Sequence, residues 1–279
     1  MSLSVLTASL AARIGHANAR QEIIWLSNSL LSSPSSDASL ASLIKRRLAD
    51  EPLQYILGTQ PFGPLNLLSR PPVLIPRPET EHWVINLSEY TRPSPLSPRR
   101  LLDLGTGSGC IPLLLCHLWP DASLRTIGLD ISDHAIQLAN DNAALCGTSG
   151  NSFKTVKASI LDPGLSNNTE LQPPFDIITS NPPYITWQDY LKLPRSVFAF
   201  EDPRALFGGP NGLDFYHAIA RFISGQGILN SDAVVALEVG DGQAKNVERL
   251  IQQIGCIRHT EIWKDPWGKE RTVIARTGR

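Results

Sequence analysis

The chain has 279 residues, enough for one large domain or two unequal ones, and its 25 lysines and arginines balance 26 aspartates and glutamates. A net charge of -1 lacks the basic footprint that nucleic-acid binding usually leaves, and no run of roughly 18 apolar residues reads as a membrane span. Cys110, Cys116, Cys146 and Cys256 form no C-x-x-C pair and no histidine cluster at metal-ligand spacing, so no metal is expected and the cysteines read as core residues in a reducing compartment.

Residues 4 to about 50 are helical in pattern. Leu6, Leu10 and Ile14 run on toward Ile23, Ile24 and Leu30 at roughly helical spacing. The first 21 residues also contain no Asp or Glu and carry Arg13, Arg20 and several serines, the composition of a mitochondrial transit peptide. A leader and an ordinary first helix both stay open. The run Ser32-Ser33-Pro34-Ser35-Ser36 breaks the pattern before a second helix from Leu40 to Ala49. Gln60-Pro61-Phe62-Gly63-Pro64 then reads as the turn-rich start of a small hairpin, with Leu65, Leu67 and Val73-Leu74-Ile75 in extended segments. Pro78 fits the first position of a helix ending by Tyr90, with Glu79 and Glu81 in its first turn. The proline-rich segment from Thr91 to Pro98 is a linker. This divides the chain into an N-terminal helical domain with hairpin (1–75), a connecting helix and linker (76–98) and an α/β domain (99–279).

From Arg99 strands and helices alternate. Strands are expected at Leu101–Leu104, Leu124–Leu129, Phe153–Ala158, Phe175–Thr179 and Ala233–Val239, and helices at Gly109–Leu118 and Ser132–Leu145. Arg258–Trp263 and Arg271–Ala275 look like a terminal antiparallel pair. Such alternation implies a mostly parallel sheet with helices on both faces.

Two motifs carry chemistry. Asp103-Leu104-Gly105-Thr106-Gly107-Ser108-Gly109 follows the first strand and opens a helix, so backbone amides are free to approach a ligand. Its G-x-G-x-G spacing lacks the third glycine of the dinucleotide fingerprint and the lysine of a P-loop. Asp130, 25 residues after Gly105, ends the second strand where an acid can accept ribose hydroxyls. Asp103 is either a turn acid or a holder of loop amides or of a cofactor's amino group.

Asn181-Pro182-Pro183-Tyr184 closes the strand Phe175–Ser180. A side-chain amide, two prolines that fix a turn and an aromatic face make a rigid clamp for a planar group bearing NH2. An amide nitrogen is a poor nucleophile because its lone pair is delocalised. If Asn181 Oδ1 and a backbone carbonyl accept its two N–H bonds, the lone pair can be aimed at a methyl donor without a strong base. Together the two motifs point to methyl transfer onto nitrogen.

These motifs, with Pro52-Leu53-Gln54-Tyr55-Ile56-Leu57-Gly58, Ile75-Pro76-Arg77-Pro78-Glu79-Thr80-Glu81, Ala205-Leu206-Phe207-Gly208-Gly209 before Gly212-Leu213, Leu237-Glu238-Val239-Gly240, and Asp265 with Gly268 and Arg271, follow in an order and spacing that resembles the HemK/PrmC protein-(glutamine-N5) methyltransferases. The resemblance runs from about Ala19 to Arg276. It implies a Rossmann-like class I S-adenosylmethionine-dependent methyltransferase with a helical N-terminal domain that helps hold the substrate, the glutamine of the Gly-Gly-Gln loop of a class-1 peptide-chain release factor. It further implies that Asp103, Gly105, Thr106, Gly107, Ser108, Gly109 and Asp130 bind the cofactor, that Asn181, Pro182, Pro183 and Tyr184 hold the glutamine, and that Arg77, Glu79 and Glu81 border the substrate. Asn181 also reaches the cofactor side. The family often has an acid near the adenine after the third strand; here that position is Ser159, followed by Ile160, and Asp162 could substitute only if the loop shifts. Glu201-Asp202-Pro203 replaces a common Glu-Pro, as in some organellar members. A monomer, in a mitochondrion or otherwise the cytoplasm, is expected.

The same clamp suits adenine, so a nucleic-acid amino-methyltransferase is the alternative; it needs phosphate contacts and often base flipping. A non-catalytic factor-binding module is the third reading, and the intact Gly105, Gly107, Asp130 and Asn181 argue against it.

Overall fold

The computed structural model describes residues 1–32, 39–148 and 150–278. Helices α1 (Leu3–Ile14) and α2 (His16–Ser32) form the first helical stretch, broken at Gly15, where φ of +85° ends α1 in a conformation open to glycine. The apolar spacing from Leu6 to Leu30 predicts an uninterrupted run, and Gly15 breaks it. The expected Ser/Pro break at 33–36 lies outside the described residues. Helix α3 (Leu40–Leu48) starts with a capping box in which Ser39 and Ser42 satisfy each other's backbone N–H groups. Helix α4 (Leu53–Leu57) ends at left-handed Gly58. Leu6, Leu10, Leu26, Leu43, Ile44 and Leu53 close one apolar cluster among these helices.

The hairpin pairs β1 (Thr59–Phe62) with β2 (Leu65–Leu68) around Gly63-Pro64. Val73-Leu74-Ile75, expected to extend it, forms no strand. The segment follows Pro71-Pro72, which can donate nothing to a ladder. Helix α5 (Pro78–Tyr90) begins with proline at its first position, as expected. Its Trp83, Val84 and Leu87 share a cluster with Phe62, Leu65 and Leu67 of the hairpin and with Leu101, Leu114 and Ile177. Hairpin and α5 therefore belong to the α/β body, and the division drawn by the cores falls between Leu57 and Phe62 and not at 75. Burying an aromatic of Trp83's size removes of order 200 Å² from water, about 5 kcal/mol before ordering entropy is subtracted.

The main sheet contains β3 (Arg99–Leu104), β4 (Leu124–Asp130), β5 (Ser152–Lys157), β6 (Phe175–Ser180), β7 (Leu229–Glu238), β8 (His259–Lys264) and β9 (Glu270–Arg276) in the order β5-β4-β3-β6-β7-β9-β8. The first five strands in that order are parallel, and β9 joins β7 and β8 antiparallel. Helices α6 (Cys110–Leu118) and α7 (Asp133–Cys146) follow β3 and β4. Between β6 and β7 come short helices α8 (Trp187–Tyr190), α9 (Arg195–Phe198) and α10 (Pro203–Leu206), then α11 (Asp214–Ile223); α12 (Ala244–Gln252) follows β7. The fold is Rossmann-like, as expected. Alternate residues of one strand feed different cores: Leu102, Leu104 and Ile178 face one cluster, Leu101 and Ile177 the other.

Candidate active site

Strand order reverses between β3 and β6, since β3 leads outward to β4 while β6 returns on its other side. A crevice opens at such a switch point, beyond the C-terminal ends of the strands. Leu104 of β3 and Ser180 of β6 are register partners, and Ser180 Oγ donates to the Leu104 carbonyl at 2.6 Å. The next residues, Gly105 and Asn181, thus leave neighbouring strands side by side. Asp130 ends β4 and Ala158 follows β5. All four line one cleft of about 580 Å³.

Gly105, Gly107 and Gly109 all have positive φ, and Gly105 and Gly107 line the cleft. The Asp130 carboxylate accepts the Gly107 N–H through Oδ2 and the Ser132 N–H through Oδ1, both at 2.9 Å. It ties the loop to the start of α7 with lone pairs to spare for a ligand; burial pushes its pKa up. Asp103 lies beneath the loop, fully buried, and accepts the Thr179 hydroxyl at 2.7 Å, while its Oδ2 has no partner. The sequence reading offered Asp103 as a holder of loop amides; that work falls to Asp130. Burial raises the Asp103 pKa to about 6. Thr106 and Ser108 are buried with hydroxyls that also lack partners. Ser159 and Ile160 line the cleft. Asp162 is exposed, and its Oδ1 accepts the Gly164 N–H at 2.8 Å.

Asn181 and Pro183 line the cleft, and Pro182 is buried. Asn181 Nδ2 donates to Thr80 Oγ1 at 3.1 Å; Thr80 donates to Glu238 Oε2 at 2.6 Å, which also accepts the Trp83 indole N–H at 2.8 Å. Tyr184, expected to offer its ring to the substrate, is not among the cleft-lining residues. A Cβ on Gly240 would lie 3.0 Å from Tyr184 Cδ2, so the ring covers that glycine. The aromatic faces of the cleft are Trp187, Tyr190, Phe207 and Phe215. Trp187 and Tyr190 stack at 6.2 Å, and both meet Phe207 edge-on.

Arg77, Glu79 and Glu81 are likewise not cleft-lining residues. Arg77 Nη2 instead donates to both carboxylate oxygens of the buried Glu201, at 2.7 and 2.6 Å. Burial pushes the Glu201 pKa up and the Arg77 charge opposes it. Alongside, the Asp202 N–H donates to the Pro72 carbonyl at 2.7 Å. These contacts strap the 72–77 segment to the loop before α10, and Val73, Leu74, Pro203 and Ala205 all line the cleft. Within the Ile75–Glu81 motif, Thr80 in the first turn of α5 is the residue hydrogen-bonded to the clamp.

Sequence reasoning missed the residues that brace these motifs. Gln243 Nε2 donates to the Tyr184 carbonyl at 2.9 Å, and its Oε1 accepts the Gly240 N–H at 3.0 Å. Buried Asn142 joins hairpin to glycine loop: Oδ1 accepts the Leu68 N–H at 2.7 Å and Nδ2 donates to the Ser108 carbonyl at 2.9 Å. Thr80 and Glu238 sat inside quoted motifs, yet only the fold shows that they meet.

Residues 97–277 match a family described as a methyltransferase domain. A release factor glutamine methyltransferase of Geobacter sulfurreducens is 36% identical, over 98% of this chain and 94% of its own length. One of Thermodesulfovibrio yellowstonii is also 36% identical, over 86% and 82%. The chain belongs to the release factor glutamine methyltransferases. Its fold is shared with a methyltransferase structure from Pyrococcus furiosus, 17% identical, with a TM-score of 0.52 over 77% of this chain and 90% of that one. S-adenosylmethionine, the methyl donor of this family, fits the cleft. Gly105 and Gly107 line it and admit close backbone approach, and Asp130 lines it with lone pairs free for hydroxyl donors; Asp103, whose buried Oδ2 is unpartnered, is not among the lining residues.

Proposed function

We propose that this chain transfers a methyl group from S-adenosylmethionine to the side-chain amide nitrogen of the glutamine in the Gly-Gly-Gln loop of a class-1 release factor. The observation that carries this reading is the adjacency of Gly105 and Asn181, which follow two registered strands and line the same cleft.

Bound S-adenosylmethionine would supply an electrophilic methyl group, its sulfur keeping the electron pair of the broken S–CH3 bond and leaving as the neutral thioether. Asp130 would hold its ribose, Ser159 and Ile160 would border its adenine, and Asp103 would balance its ammonium. Asn181 Oδ1 and a backbone carbonyl of the clamp would accept the two amide N–H bonds and aim the nitrogen lone pair into the cleft. Apolar walls from Val73, Leu74 and Phe207 keep water from the reacting atoms. Orientation and desolvation carry the barrier, and the surplus proton leaves to solvent after the N–C bond forms.

Labelled S-adenosylmethionine incubated with a release factor, its Gln→Ala loop variant, and DNA or RNA tests this. Label is expected on the first alone. Label on nucleic acid, or unchanged on the Gln→Ala factor, overturns it.

The acid-free first 21 residues support a mitochondrial address, checked by imaging the tagged full chain in a eukaryotic cell. A purely cytoplasmic signal would sink that address.

A further inference from the structure

An amide side chain can be turned end for end, and the two ends differ in what they recognise: the oxygen accepts, the nitrogen donates. At Asn181 the surroundings decide. Glu238 is 1% exposed and its Oε2 receives two groups at once. One is the Trp83 indole, which can only donate. A proton on Oε2 would collide with that N–H, so Oε2 stays an acceptor. Thr80, also 1% exposed, therefore gives its single hydroxyl proton to Glu238 at 2.6 Å. Only lone pairs remain on Thr80 Oγ1 for its neighbour at 3.1 Å, so the end of Asn181 that faces it must be Nδ2. Thr80 is not among the residues lining the cleft, whereas Asn181 is. Oδ1 is thereby left for the cleft.

We propose that Thr80, held by Glu238 and Trp83, sets the direction of the Asn181 amide and so makes the cleft select an NH2-bearing side chain over a carboxylate. The inference rests on Asn181 Oδ1 being the acceptor for the substrate amide. An oxygen facing the cleft accepts from a glutamine NH2 and repels the lone pairs of a glutamate. With the amide reversed, Nδ2 would face the cleft, hold an oxygen instead, and place the substrate's oxygen where its nitrogen should be. Thr80 and Glu238 are positioning residues: they touch Asn181 or its neighbour and need not touch substrate.

The full-length chain is assayed as wild type, Thr80→Val, Thr80→Ser and Asn181→Ala. The readouts are kcat and KM for a release factor, calorimetric S-adenosylmethionine binding, and inhibition by factors whose loop glutamine is replaced by Glu or Ala. Thr80→Val, nearly isosteric but without the hydroxyl, is expected to lower kcat at least tenfold, with KM and cofactor binding within about twofold. The Gln→Glu factor should gain at least threefold as an inhibitor relative to the Gln→Ala factor, a change that mere loosening of the site does not produce. Thr80→Ser, which keeps the donor, should restore both. If Thr80→Val does not fold, as judged by cofactor binding, Thr80→Ala carries the same expectations. Wild-type kcat in the hydroxyl-free variant, equal damage from Ser, or an unchanged Glu-to-Ala inhibition ratio overturns the relay. Asn181→Ala separates the two levels. Lost transfer there, beside a silent Thr80→Val, sinks the relay alone, while full transfer there sinks the reading of Asn181 as well.

Discussion

Gly208 leaves no room for a side chain, because a Cβ there would sit 2.5 Å from the carbonyl oxygen of Pro183 and 2.7 Å from Cα of Tyr184. The clamp's backbone lies directly on this glycine. Gly208→Ala is expected to push the clamp out of place and lower kcat by at least about a hundredfold, because small displacements of reacting groups cost that much. Cofactor affinity, set at β3 and β4, should change less than threefold. Turnover assays beside calorimetry check the split, and equal losses in both would count against it.

Asn181→Ala removes the acceptor while leaving the glycine loop intact. Transfer should fall at least about a thousandfold, with S-adenosylmethionine binding within about threefold of wild type. Activity close to wild type would overturn the clamp mechanism.

Asn142→Ala strips partners from the half-buried Leu68 N–H and the buried Ser108 carbonyl together. Leaving such groups unsatisfied costs about 2–4 kcal/mol in all. Urea denaturation should show this loss, and cofactor binding should weaken because the loop at Ser108 is no longer tied to the hairpin. Unchanged stability would mean that water replaces the amide.

Asp103 links stability to pH in an unusual direction. Its folded pKa of about 6 lies above its ordinary value of 3.8 because burial disfavours the charge. Between about pH 4 and 6 the folded chain therefore holds a proton that the unfolded chain has released, and this group's contribution to stability falls as pH rises through that window. Above it the cost is constant, up to roughly 3 kcal/mol. Asp103→Asn should then stabilise the protein at pH 8, leave it near wild type at about pH 4, and weaken S-adenosylmethionine binding. Denaturation curves of both proteins across this range provide the check; a difference that does not vary with pH rules the linkage out.

Leu6 and Leu10 are fully buried against Leu26 and Leu43, so α1 is part of the folded N-terminal domain. Leu10→Ala should cost about 2–5 kcal/mol. A chain shortened to residues 15–279 should lose stability by a similar or larger amount. Thermal melts that superpose on the full-length chain would show that α1 is dispensable, as a cleaved leader would be.

The central parallel strands β3 and β6 were legible because each is a short, largely apolar run ending at a marked turn. Leu101–Leu104 runs into glycines and Phe175–Ser180 into Asn-Pro-Pro. Helices α11 and α12 carry a readable signal too. Tyr216, Ile219 and Ile223, and likewise Ala244, Val247 and Ile251, are buried at helical spacing. The β1–β2 turn was legible from Gly63-Pro64, but its fusion with the α/β core was not, because which core receives Phe62 is decided by distant residues such as Leu114. The same limit applies in the site. Gly105, Asp130 and Asn181 could be read from motif and spacing, and Ser159 only from the family resemblance. The Thr80–Glu238 hydrogen bond spans 158 positions and has no local signature. Tyr184 shows the converse: its chemistry suggested a platform, and the fold used the ring to cover Gly240.

The pairing of Leu104 with Ser180 fixes more than topology. Donor and acceptor stand on adjacent strands of one sheet, so the gap between their supports is a strand spacing, about 4.8 Å, maintained by backbone hydrogen bonds. No hinge lies between those supports. The reach of the reaction is therefore written into the sheet itself.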